Sequence, residues 1–325
     1  MKHKTVTFAL AIAVAAGLAG AASAADKPTY GVVLKTLSNP FWGAMAEGIA
    51  EGGKEAGVTI FQQAAKSDQD AQTQLNICTT MLERSPKALI ASAINSTNLL
   101  PCMKSANEKK IPVVDLDANL DPSITKKAGV EIAFGIGSDN IAAGRKAADF
   151  LAKHLGKDAK GPVLVIEGLA GNVTGQKRAD GFKEEIAKAA PGLKIVASLP
   201  GDWDANKAAN ITNDTLQRNP GLVAIFACND TMALGAVESI YAAGKGGKIA
   251  VIGVDGTKDG VKSIKAGRLT ASVAQLPYLE GIEAVKNVKK VLAGEKVENF
   301  IYVPTLVLTA DVLKEGTDPN LKYVK

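Results

Sequence analysis

The sequence predicts an α/β protein made of two doubly wound parallel-sheet domains. Three observations lead there. Short, β-branched apolar runs alternate with longer segments whose apolar residues recur every three or four positions. The short runs carry little internal polar alternation, as expected of strands covered by helices on both faces. The chain has 325 residues, and a single sheet of about a dozen strands would exceed the usual limit of roughly ten, so two sheets fit better.

The runs predicted as strands are residues 30–34, 58–61, 88–91, 112–116, 162–166, 194–197, 223–227 and 249–254. Helical spacing covers residues 44–56, 71–82, 142–155, 175–189 and 231–243. A further strand is predicted over 131–134. It runs into Gly135-Ile136-Gly137-Ser138, read as a flexible passage that crosses between domains. Similar crossings are expected after Gln275, at Leu276-Pro277, and at Val303-Pro304-Thr305, which interrupts a strand over 300–308. Several crossings would give a cleft that opens and closes by hinge bending. Ligands of open α/β sheets bind beyond the carboxyl ends of the strands, so the segments after each strand carry the functional information.

The chain opens with Met1-Lys2-His3-Lys4, continues through an apolar stretch over 6–22, and reaches Ala22-Ser23-Ala24. This is the pattern of an export signal, with cleavage expected after Ala24 and the mature protein in a periplasm; the competing reading is an N-terminal membrane anchor. Removing Lys2 and Lys4 leaves 36 Lys and Arg against 33 Asp and Glu, a net charge of +3 instead of +5. With no dense basic run, no nucleic-acid partner is expected. Two His and three Cys are too few for a His-rich or Cys-based metal site. Cys78 and Cys102 each fall in a predicted helix flanking one strand. Two readings stand for them, a disulfide suited to an oxidising compartment or two buried thiols. Cys228 follows a buried strand and reads as a core residue.

Catalytic signatures are not found. There is no G-x-S-x-G, H-E-x-x-H or G-x-x-x-x-G-K-[ST] pattern, so no enzymatic activity and no cofactor are expected. Residues 243–248 are Gly-rich but read as a helix end and turn. His154 stands near a helix C-terminus, where a surface role complements the dipole. Asp115, Asp117, Asn119 and Asp121 alternate as in a calcium loop, but the Gly and closing Glu of such loops are missing.

The predicted strand ends instead gather polar planar groups and aromatics: Lys35, Asn39, Asp117, Asn229, Asp255 and Gln275, with Arg178 near a helix start and Trp203 in a loop. Carboxylates and amides suit neighbouring hydroxyls through paired hydrogen bonds. Aromatic faces suit the C–H faces of a sugar ring. Both Trp residues, Trp42 and Trp203, lie in these loops. Taken singly, an Asp or Asn at a strand end is often only a helix cap.

In these loops the chain resembles the periplasmic monosaccharide-binding proteins of the ribose-binding type. The resemblance rests on Lys35-Thr36-Leu37-Ser38-Asn39-Pro40-Phe41-Trp42, Leu116-Asp117, Ser138-Asp139-Asn140, Ile166-Glu167-Gly168 and Arg178-Ala179-Asp180-Gly181-Phe182. It continues through Asp202-Trp203-Asp204, Asn229-Asp230-Thr231-Met232-Ala233-Leu234-Gly235, Gly253-Val254-Asp255-Gly256 and Ala274-Gln275-Leu276-Pro277. These follow in order over nearly the whole mature chain.

The resemblance implies the type I periplasmic-binding fold, with two lobes joined by a three-segment hinge and a sugar between them. The lobes would be 25–138 plus 276–305, and 139–275 plus 306–325. Lys35, Asn39, Phe41, Trp42 and Asp117 would come from the first lobe. Arg178, Trp203, Asn229, Asp255 and Gln275 would come from the second or its hinge. Phe41, Trp42 and Trp203 would sandwich the ring, and the polar groups would bond its hydroxyls. Lys35, Trp42 and Trp203 look like the allose-binding pattern, which favours an aldohexose such as D-allose; pentoses, ketoses and polyols are the alternatives. Ala118 departs from the pattern, which has a charged residue after the matched Asp. The implied partners are the monosaccharide, an ABC-importer permease and a chemoreceptor, with the protein a monomer. A sugar-responsive transcription regulator shares the core but would carry an N-terminal helix-turn-helix, where this chain has its apolar leader. A periplasmic sugar enzyme would need Asp117 and Asp255 as an acid/base pair.

Overall fold

The computed structural model describes residues 27–325. The leader and the cleavage expected after Ala24 lie outside the described residues. In chain order the first half is β1 (Thr29–Thr36), α1 (Pro40–Ala56), β2 (Thr59–Ala65), α2 (Ala71–Glu83), β3 (Ala88–Ala91), α3 (Leu100–Glu108), β4 (Val113–Leu116), α4 (Pro122–Lys127) and β5 (Phe134–Ser138). The second half repeats the alternation: α5 (Asn140–Leu155), β6 (Gly161–Glu167), α6 (Val173–Ala189), β7 (Leu193–Pro200), α7 (Ala205–Arg218), β8 (Ala224–Ala227) and α8 (Asp230–Ala242). It continues with β9 (Ala250–Asp255), α9 (Lys258–Lys265), β10 (Ala271–Ala274), α10 (Pro277–Leu292), β11 (Phe300–Val303), β12 (Leu306–Leu308) and α11 (Ala310–Glu315), then a 3-10 helix over Pro319–Tyr323.

Two six-stranded sheets result, β11-β5-β4-β3-β1-β2 and β12-β10-β9-β8-β6-β7. The two orders correspond strand for strand. Every pairing is parallel except β10 with β12. The chain changes sheet after β5, passes through Leu276 before α10, and changes again between β11 and β12 at Pro304 and Thr305. Lys146 of α5 clamps that last passage, its Nζ donating to the Thr305 carbonyl at 2.8 Å and to Oγ1 at 2.7 Å. Beyond α11 the chain turns back. The 3-10 helix packs on α10, and the Lys325 ammonium lies 5.0 Å above the Tyr278 ring.

One predicted strand is corrected. The strand over 131–134 is observed instead as β5, Phe134–Ser138, and Gly135 and Gly137 are its members. Glycine reads as loop in a sequence, but here it answers a close approach: a Cβ on Gly135 would stand 2.5 Å from the Phe300 ring. The chain leaves the sheet at Asp139, whose carboxylate caps α5 by accepting from Ala142 N at 2.9 Å.

The helix starts repeat one device. Asn39, Asp70, Asp139, Asn172, Asp204 and Asn229 each cap the helix that follows by accepting a backbone N–H. These six strands are therefore each followed by a polar residue for a local reason, and that places polar groups along the carboxyl edges of both sheets. His154 lies exposed in the last turn of α5, and Gly244 and Gly247 turn the chain after α8. Cys228 is buried in the core.

Cys78 of α2 and Cys102 of α3 form a disulfide across a separation of 24 residues. Closing a loop of that length in the unfolded chain stabilises the fold by about 3 kcal/mol. Cys78→Ser is expected to lower the free energy of unfolding by about that amount, and to leave ligand affinity unchanged, because the bond lies on the α2–α3 side of sheet one. Denaturant unfolding with and without a thiol reductant checks this; an unchanged midpoint overturns it.

Candidate functional site

The carboxyl edges of the two sheets face each other across a cleft. Its wall is made by Lys35, Asn39, Phe41, Trp42, Asp68, Asp117, Thr174, Arg178, Trp203, Asn229, Asp255 and Gln275. All ten residues singled out from the sequence are brought together here. Asp68 and Thr174 are additional.

On the first side, Asn39 caps α1 and thereby aims the two aromatics that follow it. Its Oδ1 accepts from Phe41 N at 3.1 Å. Phe41 and Trp42 meet edge to face, with centroids 4.9 Å apart. Asp68, beyond the end of β2, fixes this corner: Oδ1 accepts from Trp42 Nε1 at 3.2 Å and Oδ2 from Asn39 Nδ2 at 3.3 Å. The Lys35 ammonium lies 5.1 Å over the Trp42 ring. Burial pushes its pKa down against the pull of Asp117 and Asp68. Asp117 sits just past β4 in the left-handed region, at φ +53°. Burial raises its pKa, while Lys35 and Arg178 hold it down. Its Oδ1 is buried with no hydrogen-bond partner among the described residues.

On the second side, Arg178 organises the site. Its guanidinium is buried at the foot of the cleft and spends its fork on four acceptors. Nε donates to Asn140 Oδ1 at 2.7 Å, and Nη1 to the Cys228 carbonyl at 2.8 Å. Nη1 also reaches Asp255 Oδ1 at 3.4 Å, and Nη2 donates to Gln275 Oε1 at 2.8 Å. Gln275 Nε2 donates in turn to Asp255 Oδ1 at 2.6 Å. This leaves Asp255 Oδ2 as an acceptor toward the cleft. Burial pushes the Asp255 carboxyl well up, against the opposing pull of Arg178. Asn229 caps α8 through Oδ1, which commits that oxygen and leaves its amide as a donor.

Two close approaches set this geometry. Helices α5 and α6 pack at Gly144, where a Cβ would stand 2.1 Å from the Arg178 carbonyl, so the Arg178 backbone is gripped. Trp203, at φ +63°, lies against Gly168 and Gly175; a Cβ on Gly168 would come within 2.2 Å of its ring. The Arg178 guanidinium is 5.8 Å from that ring. The lobes touch at the rim, where Asn172 Nδ2 donates to the Ile94 carbonyl at 3.3 Å.

Asp68 stands after a strand, as the others do. It lies in the polar run Lys66-Ser67-Asp68-Gln69-Asp70, where nothing distinguishes it from the capping Asp70. Its role comes from contacts to residues 26 and 29 positions away. Ala118 does not line the cleft; it is buried in the cluster with Leu99, Cys102 and Met103.

Two facing α/β lobes that close aromatic surfaces and paired hydrogen-bonding groups around one small space define a ligand-binding protein of the hinged, two-lobed class. The chain belongs to the periplasmic binding protein family: residues 30–296 match its domain model. It is 38% identical over 299 residues to the D-allose-binding periplasmic protein of Escherichia coli K12, covering 90% of this chain and 96% of that one. It is 37% identical over 301 residues to a ribose import binding protein of Haemophilus influenzae, covering 93% and 98%. Among solved structures, an ABC transporter periplasmic solute-binding protein of Actinobacillus succinogenes with bound D-allose superposes with a TM-score of 0.84 at 31% identity, covering 89% of this chain and all of that one.

Proposed function

We propose that this protein captures a monosaccharide in the cleft and delivers it to an ABC-type importer. The lobes that close are 25–138 plus 276–305, and 139–275 plus 306–325, with the last residues of the second reaching back over the first. The observation that carries the reading is the composition of the cleft. Carboxylate, amide and guanidinium groups converge from both sheets between Trp42, Phe41 and Trp203, which is what a ring with hydroxyls at its edge and C–H bonds on its faces requires. Phe41, Trp42 and Trp203 hold the faces. Asp117, Arg178, Asn229, Asp255 and Gln275 bond the hydroxyls, and Lys35 and Asn39 close the rim.

Closure is favoured because both sides contribute contacts, and a ligand shifts the equilibrium only by its greater affinity for the closed form. Arg178 and Asp255 are paired with each other and with Gln275, so the foot of the cleft is already organised before a ligand enters, and ordering it costs little. The relatives are binding proteins for transport, which supports a binding role for these groups. The leader and the family favour export as a monomer to a periplasm, with cleavage after Ala24. The closed form is the state offered to a permease and to a chemoreceptor.

The aldohexose preference rests on Lys35, Trp42 and Trp203 and on the likeness to the D-allose-binding protein. It is tested by thermal unfolding with D-allose, D-ribose, D-apiose, D-psicose, D-galactose and ribitol. At a hundred times its dissociation constant the cognate ligand stabilises by about 2.7 kcal/mol, a rise in midpoint of about 5 °C or more for a chain this size. D-allose is expected to give the largest shift. A larger shift with a pentose or polyol keeps the receptor and overturns the hexose preference. No shift with any sugar, after unfolding and refolding to strip carried ligand, overturns the ligand class.

A further inference from the structure

Behind the cleft lies a carboxyl that the binding site does not use. Glu280 stands in the first turn of α10, its backbone N–H bonded to the carbonyl of Leu276 at 3.1 Å, four residues after the passage between the sheets. It shares the buried stripe of α10 with Ala284 and Val288, which pack into the core. Glu280 is 0% exposed, and neither carboxyl oxygen has a hydrogen-bond partner among the described residues. An ionised carboxylate cannot rest in such a place, because burying an unpaired charge is far costlier than holding the proton.

Glu280 is not isolated. Ser92 and Ser138 follow Ile90 and Ile136 by two positions, so their side chains belong to the sheet-one face that packs against α1 and α10. Their hydroxyls are likewise buried and unpartnered, as is Asp117 Oδ1. Buried polar groups of this kind are joined by ordered water when direct partners are out of reach. No three His, Cys, Asp or Glu among the described residues are placed to hold a metal, which favours water over a cation as the link.

The charges acting on Glu280 come from few elements. Asp117 and Asp115 of the β4 end raise its pKa further, Lys35 of β1 and Arg178 of α6 oppose them, and burial outweighs all four. The buried face of α1 carries no titratable group. The C-terminal segment brings Lys325 to Tyr278 at the N-terminal turn of α10.

We propose that Glu280 is a positioning residue that acts through Asp117, a neutral carboxyl whose ionisation opposes closure on the ligand and so couples affinity to pH. The inference rests on the cleft being the sugar site. When Glu280 loses its proton, a second negative charge appears behind Asp117 in a water-poor layer. The groups can separate only by loosening the β4 end and the first turn of α10, the parts that carry Asp117 and follow Gln275. Affinity therefore falls as pH rises.

The test compares wild type with Glu280→Gln, and with Glu280→Met as a second isosteric variant. Titration calorimetry with D-allose and D-ribose from pH 6 to 9 is expected to show wild-type affinity falling about fivefold or more, the lower end of ordinary coupling between sites. The variants are expected to show a shallower profile, keeping only what Asp115 contributes, since burial pushes that carboxyl up to about 7. Denaturant unfolding without sugar gives an independent reading. Glu280 keeps its proton in the folded state and loses it in the unfolded chain. The wild-type unfolding equilibrium constant should thus rise by up to tenfold per pH unit relative to the variants from pH 5 upward, and level off once Glu280 ionises in the folded protein as well. Sugar binding with the same pH profile in wild type and variants, or equal unfolding slopes, overturns this inference alone. Failure of wild type to bind any sugar overturns the ligand assignment and the coupling together.

Discussion

Arg178→Ala is expected to weaken monosaccharide binding by about three orders of magnitude, the effect of removing one partner from a buried, hydrogen-bonded charge pair. The loss exceeds that of a single contact. The guanidinium holds Asn140, the Cys228 carbonyl, Asp255 and Gln275 at once. Without it Asp255 is a buried carboxylate with only Gln275 beside it, and the carboxyl takes up a proton. The acceptor that a sugar hydroxyl would use then becomes a competing donor. Arg178→Lys restores a charge but not the planar fork, and should recover only part of the affinity. Calorimetric titration of the three proteins with the sugar that stabilises wild type decides the matter. An affinity for Arg178→Ala within tenfold of wild type would show that Arg178 is scaffolding and not part of the site.

The second large effect is expected at a residue outside the cleft wall. Asp230 is buried beneath the Asp255 loop. Its Oδ2 accepts from Thr257 N at 2.8 Å and Thr257 Oγ1 at 3.1 Å, and its Oδ1 from Ser272 Oγ at 2.6 Å. Ser272 Oγ accepts in turn from Gly256 N at 3.0 Å. One carboxyl thus pins both residues that follow Asp255, which is itself at φ +124°. Asp230→Ala leaves the Thr257 amide and the hydrogens of two hydroxyls without an acceptor in the core, at a cost of about 3 kcal/mol of stability. Sugar affinity should fall about tenfold through the displaced Asp255. The carboxyl also has a pH signature. Burial pushes its pKa up to about 6 from an ordinary value of 3.8. The folded protein therefore holds a proton that the unfolded chain has released, so this group's stabilising contribution falls as pH rises from about 4 to 6 and is level above. Asp230→Asn should unfold with a flatter pH dependence over that window. Denaturant unfolding at pH 4, 5, 6 and 7 checks both points, and an Asp230→Ala protein as stable as wild type would refute the pinning role.

Part of the binding face was legible because one local rule places Asn39 and Asn229 in it. A parallel strand ends, the next helix needs a cap, and Asn39 and Asn229 supply it on the cleft wall, while Asp139, Asn172 and Asp204 cap their helices outside it. Lys35, Asp117, Asp255 and Gln275 stand out for the opposite reason: they are polar where an apolar run should simply stop. Three things were not legible. The β5 strand was misplaced, because Gly135 answers the Phe300 ring of a strand 165 residues downstream and Gly137 answers Asp117 and Asn119. Asp68 was missed because its contacts cross from one loop to another. Glu280 was missed because an acidic residue in the first turn of a helix is ordinarily a solvated complement to the helix dipole. Only the packing of α10 beside α1 on sheet one turns that position inward. In each case the deciding interaction is long in sequence, and no local pattern encodes it.

The return of the chain after α11 has a practical meaning for measuring closure. The last residues lie on α10, with Lys325 against Tyr278, although they follow directly from an element that packs on α9 and β12. A dye attached at Lys325 would travel with the lobe opposite to the one its position in the sequence suggests. Paired with a second dye on the outer face of α1, it would keep a nearly constant distance through the binding cycle. Paired with one on α7, it would register each opening and closing.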